Sequence, residues 1–146
     1  MLFLSIHPNY VDAILDGRKT VELRKRRPRA QPGSIVVIYA TMPRCAVVAT
    51  AVMGDVQAMN PDQLWSEVGE AAAVSQQQYV DYFANSAIAV AIHLSQVCQL
   101  KNPVKLAELR KLWDGFHPPQ QFRYLDPIQQ AFIRKRQKVA IGLQIG

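Results

Sequence analysis

The segment Gly17-Arg18-Lys19-Thr20-Val21-Glu22-Leu23-Arg24-Lys25-Arg26-Arg27 determines how the rest of this chain is interpreted. It follows a short predicted helix, and its apolar residues recur with a period of two, which is typical of a strand with one buried face. We expect Val21 and Leu23 to face a core. The opposite, polar face then carries Thr20, Glu22 and Arg24, with Lys19 at the start of the strand.

Glu22 is the only carboxylate among seven neighbouring cations, which are Arg18, Lys19, Arg24, Lys25, Arg26, Arg27 and Arg29. We expect it to orient Arg24 or Lys19 through a charge-assisted hydrogen bond. A solvated edge strand with ordinary ion pairs explains the same pattern, so both interpretations stay open at this point.

Further strands are predicted at residues 2–6, 34–40, 46–56 and 87–97. Pro8 begins a helix and Gly17 ends it, because proline suits the first helical turn and glycine the position after the last. Residues 27–33 contain two prolines and Gly33, so they form a basic loop. Gly54 marks a bulge in its strand, and the strand at 87–97 is expected to pair with the one at 46–56.

Helices are predicted where a capping residue precedes an apolar stripe. Asn60-Pro61 and Asp126-Pro127 place a cap before a proline, and Ser75 to Gln78 has the form of a capping box. A basic helix after Pro103 is expected to turn four side chains inward, namely Leu106, Leu109, Leu112 and Trp113. The last helix is expected to end at Arg134–Lys138, with a short strand or loose tail at 139–145.

The chain has 146 residues, 49% of them apolar, which suits one domain with a real core. Five or six strands do not alternate strictly with the helices. This order predicts an α+β fold: an antiparallel or mixed β-barrel with helices packed outside.

Charge is distributed unevenly along the sequence. Residues 45–100 contain no lysine or arginine and five carboxylates, whereas the rest holds all 17 basic residues and six acidic ones, a net of +11. Such asymmetry predicts one basic face, which on a small cytoplasmic protein most often binds nucleic acid.

Several classes of function are disfavoured. The phosphate-binding, dinucleotide, serine-hydrolase and zinc-protease motifs are absent, and the three histidines lack metal-ligand spacing, so no cofactor or metal is expected. Cys45 and Cys98 are expected to be reduced core residues rather than a disulfide. No apolar run has the length of a membrane helix and the N-terminus lacks a secretory signal, so we expect no membrane association.

A few other side chains are weaker candidates. His93 is a candidate general base, although a single histidine on a strand is more simply structural. His7 stands at a helix start, where its ring can cap the helix, so it too is more simply structural. Both tryptophans are expected in the core. Phe122 and Tyr124 flank Arg123 in an extended segment, where they either stack on an unpaired base or pack onto the barrel.

Two basic clusters are candidates for phosphate contacts. The first is Arg24–Arg29 with its loop, and the second is Arg134–Lys138. If both lie on one surface, they bracket a nucleic-acid backbone beside a cleft whose floor is Lys19, Thr20, Glu22 and Arg24. A carboxylate in that floor suits the exocyclic amine of a base better than a phosphate.

The pattern of an apolar strand, His7-Pro8, a helix and then G-x-K-x-x-E-x-R at residues 17–24 resembles the ASCH domain, a member of the PUA-like superfamily. The Pro32-Gly33 turn and the following apolar strand keep the family's order. The resemblance implies a PUA-like barrel at 1–100 that binds RNA or another nucleic acid. The region 101–146, with its Pro118 to Tyr124 segment, resembles a helical extension found in bacterial members described as predicted transcriptional regulators.

Some small family members resemble amidohydrolases of N4-acetylcytidine, and others are linked to RNA cleavage. Lys19 matches the catalytic lysine of the amidohydrolase type, whereas Glu22 stands where that type has a threonine. A third catalytic residue, a glutamate, corresponds to Glu67 or Glu70. The resemblance therefore implies a metal-independent hydrolase with Lys19 and Glu22 as catalytic residues, as an alternative to a binding module.

Three hypotheses follow: a module that binds RNA or DNA, a hydrolase of RNA or of a modified nucleoside, and a protein adaptor that uses the acidic middle segment. The expected ligand-binding residues are Lys19, Thr20, Glu22, Arg24, Arg26, Arg27, Arg29, Arg123, Tyr124, Arg134, Lys135 and Arg136. The oligomeric state stays open.

Overall fold

The computed structural model describes the backbone of residues 1–145 and the side chains of residues 1–137. In this part of the chain the strands are β1 (Leu2–Ile6), β2 (Val21–Arg24), β3 (Ile35–Ala40), β4 (Ala46–Met59), β5 (Ala89–Lys105) and β6 (Phe122–Tyr124). The helices are α1 (Pro8–Leu15), α2 (Pro61–Val68), α3 (Gln76–Phe83), α4 (Leu106–Leu112) and α5 (Pro127–Ile145).

The strands form one mixed sheet in the order β2-β5-β4-β3-β1-β6. Neighbouring strands are antiparallel, except that β1 and β3 are parallel. The sheet curls into a half-barrel with the helices packed around it, which confirms the predicted α+β class and PUA-like architecture.

Long bent strands produce this curl. The register between β4 and β5 shifts between Met53 and Val56, which confirms the bulge predicted at Gly54. A Cβ at Gly54 would lie 3.3 Å from the His93 Cβ, so the two strands approach closely there. A second shift lies opposite Gln96, whose φ of 48° is the left-handed conformation typical of a bulge.

Helix starts are as predicted. The His7 ring accepts a hydrogen bond from the Asn9 amide at the start of α1, and Asn60 caps α2. Ser75 and Gln78 form both hydrogen bonds of a capping box at α3. These caps matter for function because α1 and α3 carry residues of the pocket described below.

Apolar side chains pack on both faces of the sheet. The inner cluster includes Leu4, Ile38, Val90 and Ile92 with Ile14 of α1. The outer cluster joins strand residues to α4 and α5; its largest members are Phe3, Trp113, Phe116 and Ile133. A third cluster packs Val21 and Leu23 against α2 and α3, which confirms that these two residues face a core.

Some boundaries differ from the sequence prediction. β5 continues to Lys105 because Val104 and Lys105 still pair with β4, so Pro103 does not end the strand. Leu112, predicted to be buried, is 50% exposed, because α4 turns Leu109 toward the core. The short strand or tail expected at 139–145 is wrong: α5 runs to Ile145, and a short apolar segment cannot by periodicity alone be told from a continuing helix.

Other expectations concern single residues. Both tryptophans pack in hydrophobic clusters, as predicted. Cys45 and Cys98 are free thiols and only partly buried. None of the described helices combines the length and apolar character needed to cross a membrane. The division at residue 100 stays a prediction, although β6 of the proposed extension pairs with β1 in the sheet.

Candidate functional site

A pocket of about 450 Å³ opens where β2 faces the end of β1. Its residues come from β1, α1, the β2 segment and α3; they are Ser5, Ile6, His7, Tyr10, Lys19, Glu22, Leu23, Arg24, Val74, Gln78, Tyr79, Asp81 and Tyr82. The volume lies within the range of pockets that hold small ligands. Ile6, Leu23 and Val74 give it apolar surface, and Tyr10 and Tyr82 add aromatic rings.

β2 places Glu22 and Arg24 on the inner face of the half-barrel. Glu22 pairs with Ile92 and Arg24 with Val90, and residues opposite each other in an antiparallel pair point to the same side. Glu22 is 4% exposed and Arg24 is 7% exposed. The solvated edge strand considered from the sequence is therefore wrong, because all four residues of β2 are buried.

Glu22 and Arg24 form a buried ion pair. The Nη1 of Arg24 donates to the Oε1 of Glu22 at 2.9 Å, which confirms that the carboxylate orients this arginine. The same Oε1 accepts from the Leu23 amide at 3.2 Å, and Nη2 of Arg24 donates to the Ser5 carbonyl oxygen at 2.8 Å. The guanidinium is thereby fixed in one orientation.

The second oxygen of Glu22 has no hydrogen-bond partner. Oε2 of Glu22 and Nε of Arg24 are both buried and unpaired with respect to the described residues. An unpaired buried acceptor or donor is costly, and such groups are a few per protein at most. Both atoms belong to residues that line the pocket, so part of the hydrogen-bonding capacity in the pocket wall is not used by the described residues.

Lys19 is fully enclosed, with 1% of its surface exposed. Its Nζ donates to the Ala72 carbonyl oxygen at 2.5 Å and lies 4.9 Å from the centre of the Tyr10 ring. The segment between α2 and α3 supplies this carbonyl, and the neighbouring Ala71 carbonyl accepts from the Thr20 amide at 2.9 Å.

Burial lowers the pKa of Lys19 below its ordinary value, because an ammonium group loses its hydration. The nearby Glu22 carboxylate acts in the opposite direction, and the Arg24 charge lowers the pKa further. A lysine of this kind holds a larger fraction of neutral amine near pH 7 than an exposed one and can accept a proton.

Aromatic and acidic residues complete the pocket. Tyr79 donates from its hydroxyl to the Pro61 carbonyl oxygen at 2.6 Å, and burial raises its pKa to about 12. Tyr82 has the Lys25 Nζ 4.8 Å from its ring centre. Asp81 is exposed and is the second carboxylate of the pocket besides Glu22.

The structure brings together only part of the residues expected from the sequence. Lys19, Glu22 and Arg24 line the pocket, and Thr20 does not: β2 begins at Val21, so the Thr20 side chain is exposed. Arg26, Arg27 and Arg29 are exposed in the loop that follows Arg24.

The β6 and α5 residues lie outside the pocket. The Tyr124 hydroxyl accepts from the Arg29 amide at 2.6 Å, so the loop and β6 touch. Arg123 faces the Phe116 ring at 5.1 Å, on the side of the sheet away from Phe122. Arg136 pairs with Glu108, whereas Arg134 and Lys135 are exposed on α5.

Three further candidates, Glu67, Glu70 and His93, are not in the pocket. Glu67, on α2, accepts from the Gln57 side chain at 2.6 Å, and Glu70 is exposed. His93 lies on β5, and its Nε2 is 2.7 Å from the Oε1 of Gln57 on β4, a contact typical of a structural residue.

Three pocket residues were not predicted from the sequence, namely Tyr10, Asp81 and Tyr82. Helical periodicity assigns Tyr82 to an apolar side, and nothing local relates these residues to Lys19.

The described residues contain no group of three metal-ligating side chains.

The fold of this protein is a half-barrel with a polar pocket beside its edge strand. Comparison with known families assigns this combination of fold and pocket to a family. A sequence model of the ASCH domain matches residues 4–98, so the chain belongs to the ASCH domain family.

Individual relatives extend this finding. An ASCH domain-containing ribonuclease from Zymomonas mobilis is 34% identical over 122 residues, which cover 84% of this chain and 82% of that protein. The crystal structure of ASCH from Zymomonas mobilis is 31% identical with a TM-score of 0.86, covering 92% of this chain and 93% of that one.

A more distant similarity concerns the fold alone. The N-terminal domain of Staphylothermus marinus McrB is 14% identical with a TM-score of 0.55, over 92% of this chain and 93% of that one.

Proposed function

We propose that this protein binds single-stranded RNA and takes one nucleotide into the pocket of Lys19, Glu22 and Arg24. The observation that carries the proposal is a pocket of small-ligand size whose wall contains Lys19 and the buried Glu22–Arg24 ion pair. The Zymomonas mobilis relative, named a ribonuclease, supports RNA as the polymer.

The basic loop after β2 supplies affinity for the RNA backbone. Lys25, Arg26, Arg27 and Arg29 are exposed and follow directly after Arg24. Exposed cations gain binding free energy by releasing counterions from the phosphates, which requires no fixed geometry. Arg134 and Lys135 on α5 are further phosphate contacts if the strand extends that far.

RNA cleavage is the second candidate function, favoured by the lowered pKa of Lys19 and by the name of the relative. Lys19 would accept or donate the proton in that reaction. The N4-acetylcytidine amidohydrolase alternative has weaker support, because Glu22 replaces the threonine and neither Glu67 nor Glu70 reaches the pocket.

Transcriptional regulation is an alternative that rests on the resemblance of residues 101–146, and DNA is the alternative nucleic acid for the basic residues. Preference for duplex DNA over single-stranded RNA would favour them.

The test is fluorescence anisotropy with an eight-nucleotide single-stranded RNA, its DNA counterpart and both duplexes, together with gel analysis of RNA cleavage. We expect tightest binding to single-stranded RNA. Glu22→Gln should weaken it at least tenfold, whereas the exposed control Glu70→Gln should not. Equal affinity of wild type and Glu22→Gln for RNA would contradict the proposal.

A further inference from the structure

A second cavity, of about 290 Å³, lies between the start of α2 and the last turns of α3. Pro61 and Asp62 line it from α2, and Tyr79, Val80 and Phe83 line it from α3. Tyr79 also lines the pocket of Lys19, so α3 stands between the two cavities. Among the described residues, no lysine or arginine lines the second cavity, which therefore differs in charge from the first.

The polar groups of the second cavity are mostly acceptors. Tyr79 donates its hydroxyl proton to a carbonyl oxygen at the start of α2, and Ser86 donates to the Ile88 carbonyl oxygen, both at 2.6 Å. The side-chain amide of Asn60 is the remaining side-chain donor among the described lining residues. Asp62 adds an exposed carboxylate, which only accepts when it is ionised. A ligand that fits this cavity must supply donors.

The charges around the second cavity favour a cation. α3 presents its C-terminal end, the negative end of the helix dipole, and has no basic residue in its last turn. The positive end of α2 is offset by the Asn60 cap and by Asp62 in the first turn. Residues 61–88 contain no lysine or arginine and four carboxylates, which are Asp62, Glu67, Glu70 and Asp81. None of these carboxylates forms an ion pair with the described residues.

The rest of the lining is aromatic and apolar. The ring centres of Tyr79 and Phe83 lie 4.8 Å apart, and aromatic rings attract ammonium and guanidinium groups. Val80, in the lining, is 52% exposed, and Ile88, two residues after the lining Ser86, is 45% exposed. These features match a cationic side chain that is followed by an apolar one.

We infer that the second cavity binds an arginine or lysine side chain from a segment of a protein partner, with an apolar residue of the same segment against Val80 and Ile88. This binding is separate from the proposed RNA binding, because the carboxylates of α2 and α3 repel phosphates. The two surfaces lie on different flanks of α3. Lys25 of the basic loop contacts the Tyr82 ring on the flank of the first pocket, whereas Asp62 lines the second cavity.

The test is an NMR titration of the isotope-labelled full chain with N-acetylarginine amide and with N-acetylcitrulline amide, which is nearly the same shape but uncharged. The arginine compound should shift the backbone amide signals of Asp62, Val80 and Phe83, and should bind about threefold or more tightly than the citrulline compound. Asp62→Asn should remove this difference. Glu70→Gln, at an exposed carboxylate outside the cavity, is the matched control and should preserve it.

A pair of acetylated dipeptide amides tests the apolar contact. Arginine-leucine should bind more tightly than arginine-serine, and Val80→Ser should make the two equal. Equal affinity of the two dipeptides for wild type would overturn the apolar part of the inference.

Equal binding of the arginine and citrulline compounds would overturn the cation site, as would an arginine affinity that Asp62→Asn does not change. Shifts confined to Glu22 and Asp81 would do the same, because the cation would then occupy the first pocket. Sedimentation velocity tests a second copy as the occupant. Self-association that both Asp62→Asn and Arg26→Ala abolish would assign the cavity to the basic loop of another copy and overturn the separate partner.

Discussion

Arg24 Nη2 donates a hydrogen bond of 2.8 Å to the carbonyl oxygen of Ser5, and this contact joins the two margins of the pocket. Arg24 ends β2, the first strand of the sheet, whereas Ser5 lies in β1, the fifth. The sheet must curl for these strands to meet. One side chain thus links the shape of the half-barrel to the site.

Removing Arg24 should destabilise the protein. Arg24→Ala leaves the buried Glu22 carboxylate without its ion-pair partner and the Ser5 carbonyl without a donor. Breaking a buried pair in this way costs roughly 3–5 kcal/mol of unfolding free energy. Urea denaturation measures the loss, and the exposed Arg27→Ala is the matched control, expected within about 0.5 kcal/mol of wild type. Similar losses for the two variants would show that the pair contributes little.

Because of Lys19, the free energy of unfolding should change with pH below the ordinary lysine pKa. Its pKa is lower in the folded protein than in the unfolded chain, so between these two values the unfolded chain binds more protons. The free energy of unfolding of wild type, measured relative to Lys19→Met, should therefore rise as pH increases toward the ordinary lysine pKa. Paired urea titrations across that range check the sign. A difference that falls with pH would mean that Lys19 is stabilised as the ammonium form.

The capping box of α3 should support the pocket from a distance. Ser75→Ala removes the hydroxyl that accepts from the Gln78 amide at 3.1 Å, which should cost about 1 kcal/mol of unfolding free energy. Because α3 carries Gln78, Tyr79 and Tyr82, RNA affinity should fall as well. Ser66→Ala, in the exposed part of α2, is the matched control for both measurements. Unchanged RNA affinity after Ser75→Ala would show that the capping box does not contribute to RNA binding at the pocket.

The loop arginines should set the salt dependence of RNA binding. Each phosphate interaction that a substitution removes should reduce the slope of log affinity against log salt concentration by about 0.7 for a single strand. Arg26→Ala combined with Arg27→Ala should reduce the slope by about twice that amount. Arg110→Ala, on α4, should leave it unchanged. A slope unaffected by the double variant would place the phosphates elsewhere.

The local pattern around β2 is sufficient to predict much of this structure. The alternation of Val21 and Leu23 predicts the buried face. The isolation of Glu22 among cations predicts a hydrogen bond with Arg24 or Lys19, and the structure shows the bond with Arg24. Helix caps and the bulge at Gly54 follow from single residues whose backbone preferences are strong.

What the sequence does not reveal depends on contacts between distant segments. The carbonyl of Ala72 holds Lys19 across 53 positions of sequence, and Tyr82 comes from a helix whose sequence shows only an apolar side. Thr20, which strand alternation places on the face of Glu22 and Arg24, has an exposed side chain and does not line the pocket. Whether the basic loop lines the pocket or lies outside it depends on the curl of the sheet, which no local pattern encodes.

The most direct test of the account is to observe where RNA binds. In NMR spectra of the isotope-labelled protein, an eight-nucleotide single-stranded RNA should shift the backbone amide signals of Tyr10, Lys19, Glu22 and Tyr82 together with those of the 25–29 loop. Shifts confined to the loop and α5, with the signals of the four pocket residues unchanged at saturation, would contradict a nucleotide-binding pocket at β2.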